Sequence, residues 1–208
     1  MNPFIDALGI IKKDWKLLAI LNALFFCVLI IGATIALISP GLHLSMIEFI
    51  GADTIAGQSG APAATSTAGA LEAAVLSFIS SFFGNTLLMI TIPSIVLPIW
   101  APIIGAARFF IWGVTYVAPL DGVMTLRSLL PQYIAIFLEG EAYTIAIFAC
   151  VRQLSVALAA SDRGFRNLLR QYKKSVIDNL KLLLIVIVLL AIAALYQALV
   201  IPILSGIL

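Results

Sequence analysis

From Leu17 to Ile38 the chain carries 22 residues without a charge, and from Leu182 to Leu204 the only ionisable group is the phenol of Tyr196. A hydrocarbon core of about 30 Å is crossed by roughly 20 helical residues, so both runs predict spanning helices. Three further apolar runs are long enough, and the pattern places five spans near 17–38, 73–92, 99–118, 129–150 and 182–204. The middle three carry Asn85, Arg108, Glu139 and Glu141 inside apolar sequence. Pro93, Pro98 and Pro102 bunch between the second and third. That stretch reads either as a short stiff connection or as a broken, re-entrant element, which survives at membrane depth only when buried in protein.

The segments between spans differ in character. Residues 39–72 contain no Lys or Arg, and their centre, GADTIAGQSGAPAATSTAG, is built from small residues with little capacity to form a core. It reads as an external loop, preceded by LHLSMIEFI as a short interfacial helix. Between Arg163 and Lys181, Phe165, Leu168, Leu169, Tyr172, Val176, Ile177 and Leu180 recur at helical spacing, with Asp162 as N-cap. Arg163, Arg166, Arg170, Lys173 and Lys174 occupy other positions of that helix. Such a helix lies among anionic lipid headgroups, meets an acidic partner, or packs under the protein itself. Phe4, Ile5, Leu8, Ile11 and Trp15 suggest a shorter amphipathic counterpart at the N-terminus.

Composition agrees with this reading. Hydrophobic residues make up 62% and charged residues 11%, with a mean hydropathy of +1.15, outside the range of a water-soluble domain. The expected fold is therefore one all-α, polytopic membrane domain. A first apolar run of this length reads as an uncleaved helix and not as a signal peptide. Net charge is only +2, but placement matters more. Lys12, Lys13 and Lys16 precede the first span, while Arg152, Arg163, Arg166, Arg170, Lys173, Lys174 and Lys181 lie at or after the end of the fourth. Five crossings put both groups on one side, which the positive-inside rule assigns to the cytoplasm. The expected location is the cell membrane, with the N-terminus cytoplasmic and the C-terminus external.

Candidate chemistry lies in the spans. Arg108 and Glu139 fall near the midplane, with Asn85 at similar depth on a neighbouring helix. An isolated charge there costs at least about 2.5–3.5 kcal/mol, so these groups should face one another. Gln132, Ile136, Glu139 and Tyr143 share one helical face, as do Ser77, Ser81 and Asn85. Glu141 points about 200° away from Glu139, so only one of the two pairs directly with Arg108. The cluster Asn85, Arg108, Gln132, Glu139 and Glu141 serves as helix glue, as an ion or substrate path, or as a switch. Catalysis is less favoured, because His43 is the only histidine. No cofactor or metal is expected, and Cys27 and Cys150 stand far apart without a CxxC. Gly32, Gly84, Gly105, Gly113 and Gly140 interrupt spans and would let helices approach closely.

FFGN at 82–85, a Pro- and Gly-rich third span, and LLPQYIAIFLEGEAYTIAIFA at 129–149 together resemble the stage II sporulation protein M family of membrane proteins. In this chain Gln132 stands where that family commonly has His, and Tyr133 where it has Gly. The resemblance implies that Asn85, Pro131 and Glu139 or Glu141 are central to the fold. It also implies a non-enzymatic membrane component, the family being associated with peptidoglycan remodelling during engulfment. The first functional expectation is thus a scaffold or complex subunit with a protein partner or a second copy of itself, and no nucleic acid. The alternatives are a small transporter using the Arg/Glu/Asn site and, behind it, an intramembrane enzyme.

Overall fold

A computed structural model describes residues 3–51, 67–119, 126–161 and 165–207. Among them no strand occurs, and five helices are long and apolar enough to cross a membrane: Trp15–Ile38, Gly69–Val96, Trp100–Val117, Leu129–Ser155 and Arg170–Leu204. The chain is an all-α polytopic membrane protein. Its outer surface is apolar, as a lipid solvent requires, with side chains such as Ile20, Phe26, Ile38, Leu88 and Ile103 exposed.

Helix α1 (Pro3–Lys13) is the expected N-terminal amphipathic helix. It has Asp6 in its first turn and Lys12 and Lys13 in its last, each favourable to the helix dipole. The chain bends at Asp14, and α2 (Trp15–Ile38) forms the first span. Leu21, Phe25, Leu29, Gly32 and Ala36, three or four residues apart, are its buried stripe. After Ser39, Pro40 opens α3 (Pro40–Gly51), a short helix over the stretch where one is expected.

The second span joins α4 (Thr67–Ile79), a π-helical stretch over Ser80–Thr91 and α5 (Ile92–Val96). Leu97, forced towards extended backbone by Pro98, has φ −127° and ψ 86° and ends the helix. Three residues later α6 (Trp100–Trp112) begins the third span, which finishes in a second π-helical turn, Gly113–Val117. The Trp100 indole Nε1–H donates to the Met89 carbonyl at 3.0 Å, tying the two spans together. Residues 93–102 thus join two neighbouring helices as the connection of a helical hairpin.

Helices α7 (Leu126–Ser161) and α8 (Phe165–Leu195) form the most extensive helix pair. A third π-helical turn, Tyr196–Val200, and α9 (Ile201–Ile207) complete the fifth span. Span four is the most enclosed, buried continuously from Ala142 to Cys150. Residues 165–181 do not form a separate helix in the headgroup plane. They are the beginning of α8, continuous with the fifth span, packed on α7 and α1. Asp162 lies outside the described residues.

Close packing sets the positions of the spans. Phe25 stacks on Phe109 with centroids 4.9 Å apart, Phe109 meets Trp112 at 5.5 Å, and Trp112 meets Tyr143 at 5.6 Å. This aromatic row runs from span one to the polar centre of the bundle, and each pair adds about 0.5–1.5 kcal/mol beyond burial. Where α2 crosses the third span, Gly32 and Gly113 bring the two backbones together.

Candidate functional site: a buried Arg–Tyr–Glu network

Glu139 sits on α7 with 4% of its surface exposed, so its carboxylate depends wholly on protein partners. Tyr143, one helical turn later and fully buried, donates its hydroxyl to Glu139 Oε1. Ser81 Oγ–H, from the first π-helical stretch, donates to the same oxygen at 2.9 Å. Gln197, in the third π-helical turn, donates Nε2–H to Glu139 Oε2 at 3.5 Å, and Ser77 Oγ–H donates to Gln197 Oε1 at 3.0 Å.

Arg108 completes the group from α6. Its Nη2 lies 3.8 Å from Glu139 Oε1 and donates to the Tyr143 hydroxyl at 3.2 Å. The phenol thus bridges cation and anion, accepting from one and donating to the other. The guanidinium also lies over two ring faces, 4.4 Å from the Tyr143 centroid and 5.1 Å from that of Trp112, which favours a cation that has left water. Its Nε is buried without an acceptor among the described residues. The network draws on spans two, three, four and five.

The sequence-derived cluster is only partly assembled. Arg108 and Glu139 meet as expected, while Glu141 points elsewhere and accepts from Asn22 Nδ2 on span one at 3.3 Å. Gln132 and Asn85 make no hydrogen bond to this group among the described residues. For Asn85 the cause is local: over Ser80–Thr91 the hydrogen bonds reach one residue further than in an α-helix. Thr86 Oγ1–H accordingly donates to the Ser81 carbonyl and Thr91 Oγ1–H to the Thr86 carbonyl, both five residues back. The inward positions become Phe82, Thr86 and Ile90, and the face Ser77–Ser81–Asn85 loses its last member.

Gln197 was not picked out by the sequence reading, although a lone amide in a run of aliphatic residues must find a partner in lipid-depth protein. A second polar network also escaped it. At the basic end Arg152 Nε–H donates to Asp14 Oδ2 at 2.8 Å and its Nη atoms to Asp178 Oδ2 at 3.2 and 3.3 Å. Lys181 pairs with Asp6 at 2.8 Å, and the Gln153 and Asn179 amides meet at 2.6 Å. The Tyr172 hydroxyl donates to the Ile95 carbonyl at the span two–three hairpin. These contacts join α1, the 93–102 turn, α7 and α8 at one end of the bundle. Of the basic-helix residues, Arg170, Lys173 and Lys174 are exposed, Arg166 lies in the first turn of α8, and Arg163 is outside the described residues.

Chemically, the central network can hold one buried ion pair and bind four spans to one another. Compared with protein-family models, with curated proteins and with solved structures, the chain matches none.

Proposed function

We propose that this chain is a non-enzymatic scaffold or subunit of a complex in the cell membrane, the role that its likeness to the stage II sporulation protein M family suggests. The observation that carries the reading is the complete internal use of Glu139. Oε1 is taken by Ser81, Tyr143 and Arg108, and Oε2 by Gln197, all within the chain. A catalytic acid or a carrier site needs a face open to substrate, and here the bundle's own side chains fill that face. In this reading the basic end, with Lys12, Lys13, Lys16, Arg170, Lys173 and Lys174 exposed, faces the cytoplasm and engages a protein partner or a second copy.

A small transporter is the second reading. The buried Arg108 Nε lacks an acceptor, and two of the four partners of Glu139, Ser81 and Gln197, stand on π-helical turns. Such turns are frequent at functional sites, and a change to α register would withdraw those donors. Flux measurements on proteoliposomes carrying pH- and potential-sensitive dyes separate the two. The scaffold predicts no flux above protein-free liposomes, with Glu139→Gln indistinguishable from the parent. Proton or ion flux that disappears in folded Arg108→Ala or Glu139→Gln protein would overturn it.

A further inference from the structure

At the bend between α1 and α2, an open cavity of about 570 Å³ is lined by Lys13, Asp14, Trp15, Lys16, Arg152 and Ser155, together with the first aliphatic residue of the span. Its charge is unbalanced in a specific way. Asp14, the acid in the lining, is held by Arg152 at 2.8 Å, and Arg152 is shared with Asp178. The Lys13 and Lys16 ammoniums are exposed and have no carboxylate partner among the described residues. Two unpaired cations therefore face a pocket whose single acid is already engaged.

Depth identifies what the pocket meets. Trp15, 58% exposed, opens the first span, which is where an indole sits at the membrane interface. Lys16, Ile20 and Leu24 follow one another at turn spacing, and Ile20 and Leu24 are 64% and 48% exposed. An apolar track thus leads away from the cations into the hydrocarbon. We propose that this cavity binds the phosphate headgroup of an anionic phospholipid, the phosphate between Lys13 and Lys16 and an acyl chain along Ile20 and Leu24. The site is separate from the exposed Lys173 and Lys174 of α8, and it does not depend on the scaffold reading.

The test uses the full chain in a neutral detergent, titrated with short-chain phosphatidylglycerol, short-chain phosphatidylcholine or inorganic phosphate at matched ionic strength. Thermal unfolding is the readout. Phosphatidylglycerol should raise the midpoint saturably. Lys13→Gln/Lys16→Gln should raise the half-saturating concentration roughly tenfold or more, the scale expected for two cations at a membrane surface. Lys173→Gln/Lys174→Gln should stay within about twofold of the parent, on the same reasoning. Ser155→Asp, which sets a carboxylate at the pocket, should also abolish the response while leaving the midpoint in phosphatidylcholine unchanged. Equal stabilisation by phosphatidylcholine, an equal loss in the α8 variant, or an unaffected Lys13/Lys16 variant overturns the proposal. A matching shift from inorganic phosphate alone would assign the site to a free anion and overturn the lipid.

Discussion

Gly32 and Gly113 touch backbone to backbone: a β-carbon on Gly113 would stand 2.1 Å from the Leu29 carbonyl oxygen, and one on Gly32 2.4 Å from that of Phe110. No side-chain rotation relieves either clash, because the obstructing atoms are main chain. Gly113→Ala should therefore push spans one and three apart and cost about 1–3 kcal/mol, as overpacking does. Gly84→Ala, with nothing within 4 Å of its new methyl group, is the control and should be neutral. Reversible unfolding by SDS in mixed micelles measures both. Equal stability of the two variants would contradict the crossing.

The Arg108–Glu139 pair makes a non-additive prediction. Removing one partner strands a buried charge, and Arg108→Met alone or Glu139→Leu alone should cost about 3–5 kcal/mol. The double variant should be distinctly less damaged than the sum of the two, because no uncompensated charge remains. A double-mutant cycle in the same SDS assay gives the coupling, and strictly additive losses would mean that the two groups do not sense each other.

Ser81 and Asn85 distinguish π-helical from α-helical register in span two. Ser81→Ala removes a donor from a buried carboxylate and should cost about 1–2 kcal/mol. Asn85→Leu removes no hydrogen bond among the described residues and should change stability by less than about 0.5 kcal/mol, the range for substitutions away from special features. The reverse order of effects would place Asn85 in the network after all.

Arg152 serves two carboxylates, Asp14 at the bend between α1 and α2 and Asp178 on α8, through a planar fork that lysine lacks. Arg152→Lys should release α1 before the rest of the bundle loosens. Hydrogen exchange of residues 3–13 should accelerate at least about fivefold, the equivalent of roughly 1 kcal/mol of local opening, while span four stays protected. Uniform acceleration throughout would show that the clamp acts globally.

The sequence disclosed the spans well because a run such as Leu17–Ile38 is judged by its own length and polarity. Each expected span overlaps one in the structure, and the ends differ by a few residues except where α8 begins well before its apolar run. The central pair was legible for a related reason: Arg108 and Glu139 are too costly to leave alone at that depth. Tyr143 was visible as sharing the Glu139 face. Gln197 was not, since a neutral amide barely disturbs a hydropathy average.

What the sequence determined by itself, then, was which segments are long and apolar enough to cross a membrane, which end of the bundle collects the basic residues, and that a buried cation needs a buried acid. Tertiary structure decided the partners: Glu139 for Arg108, Asn22 for Glu141, Thr86 in place of Asn85 at an inward position, and α8 as one helix through the basic stretch. Transfer into lipid is a nearly additive property of consecutive residues, so it can be read along one dimension. Side-chain pairing depends on how each helix is rotated about its axis, and that rotation is set by π-helical turns and glycine crossings that only neighbouring helices enforce.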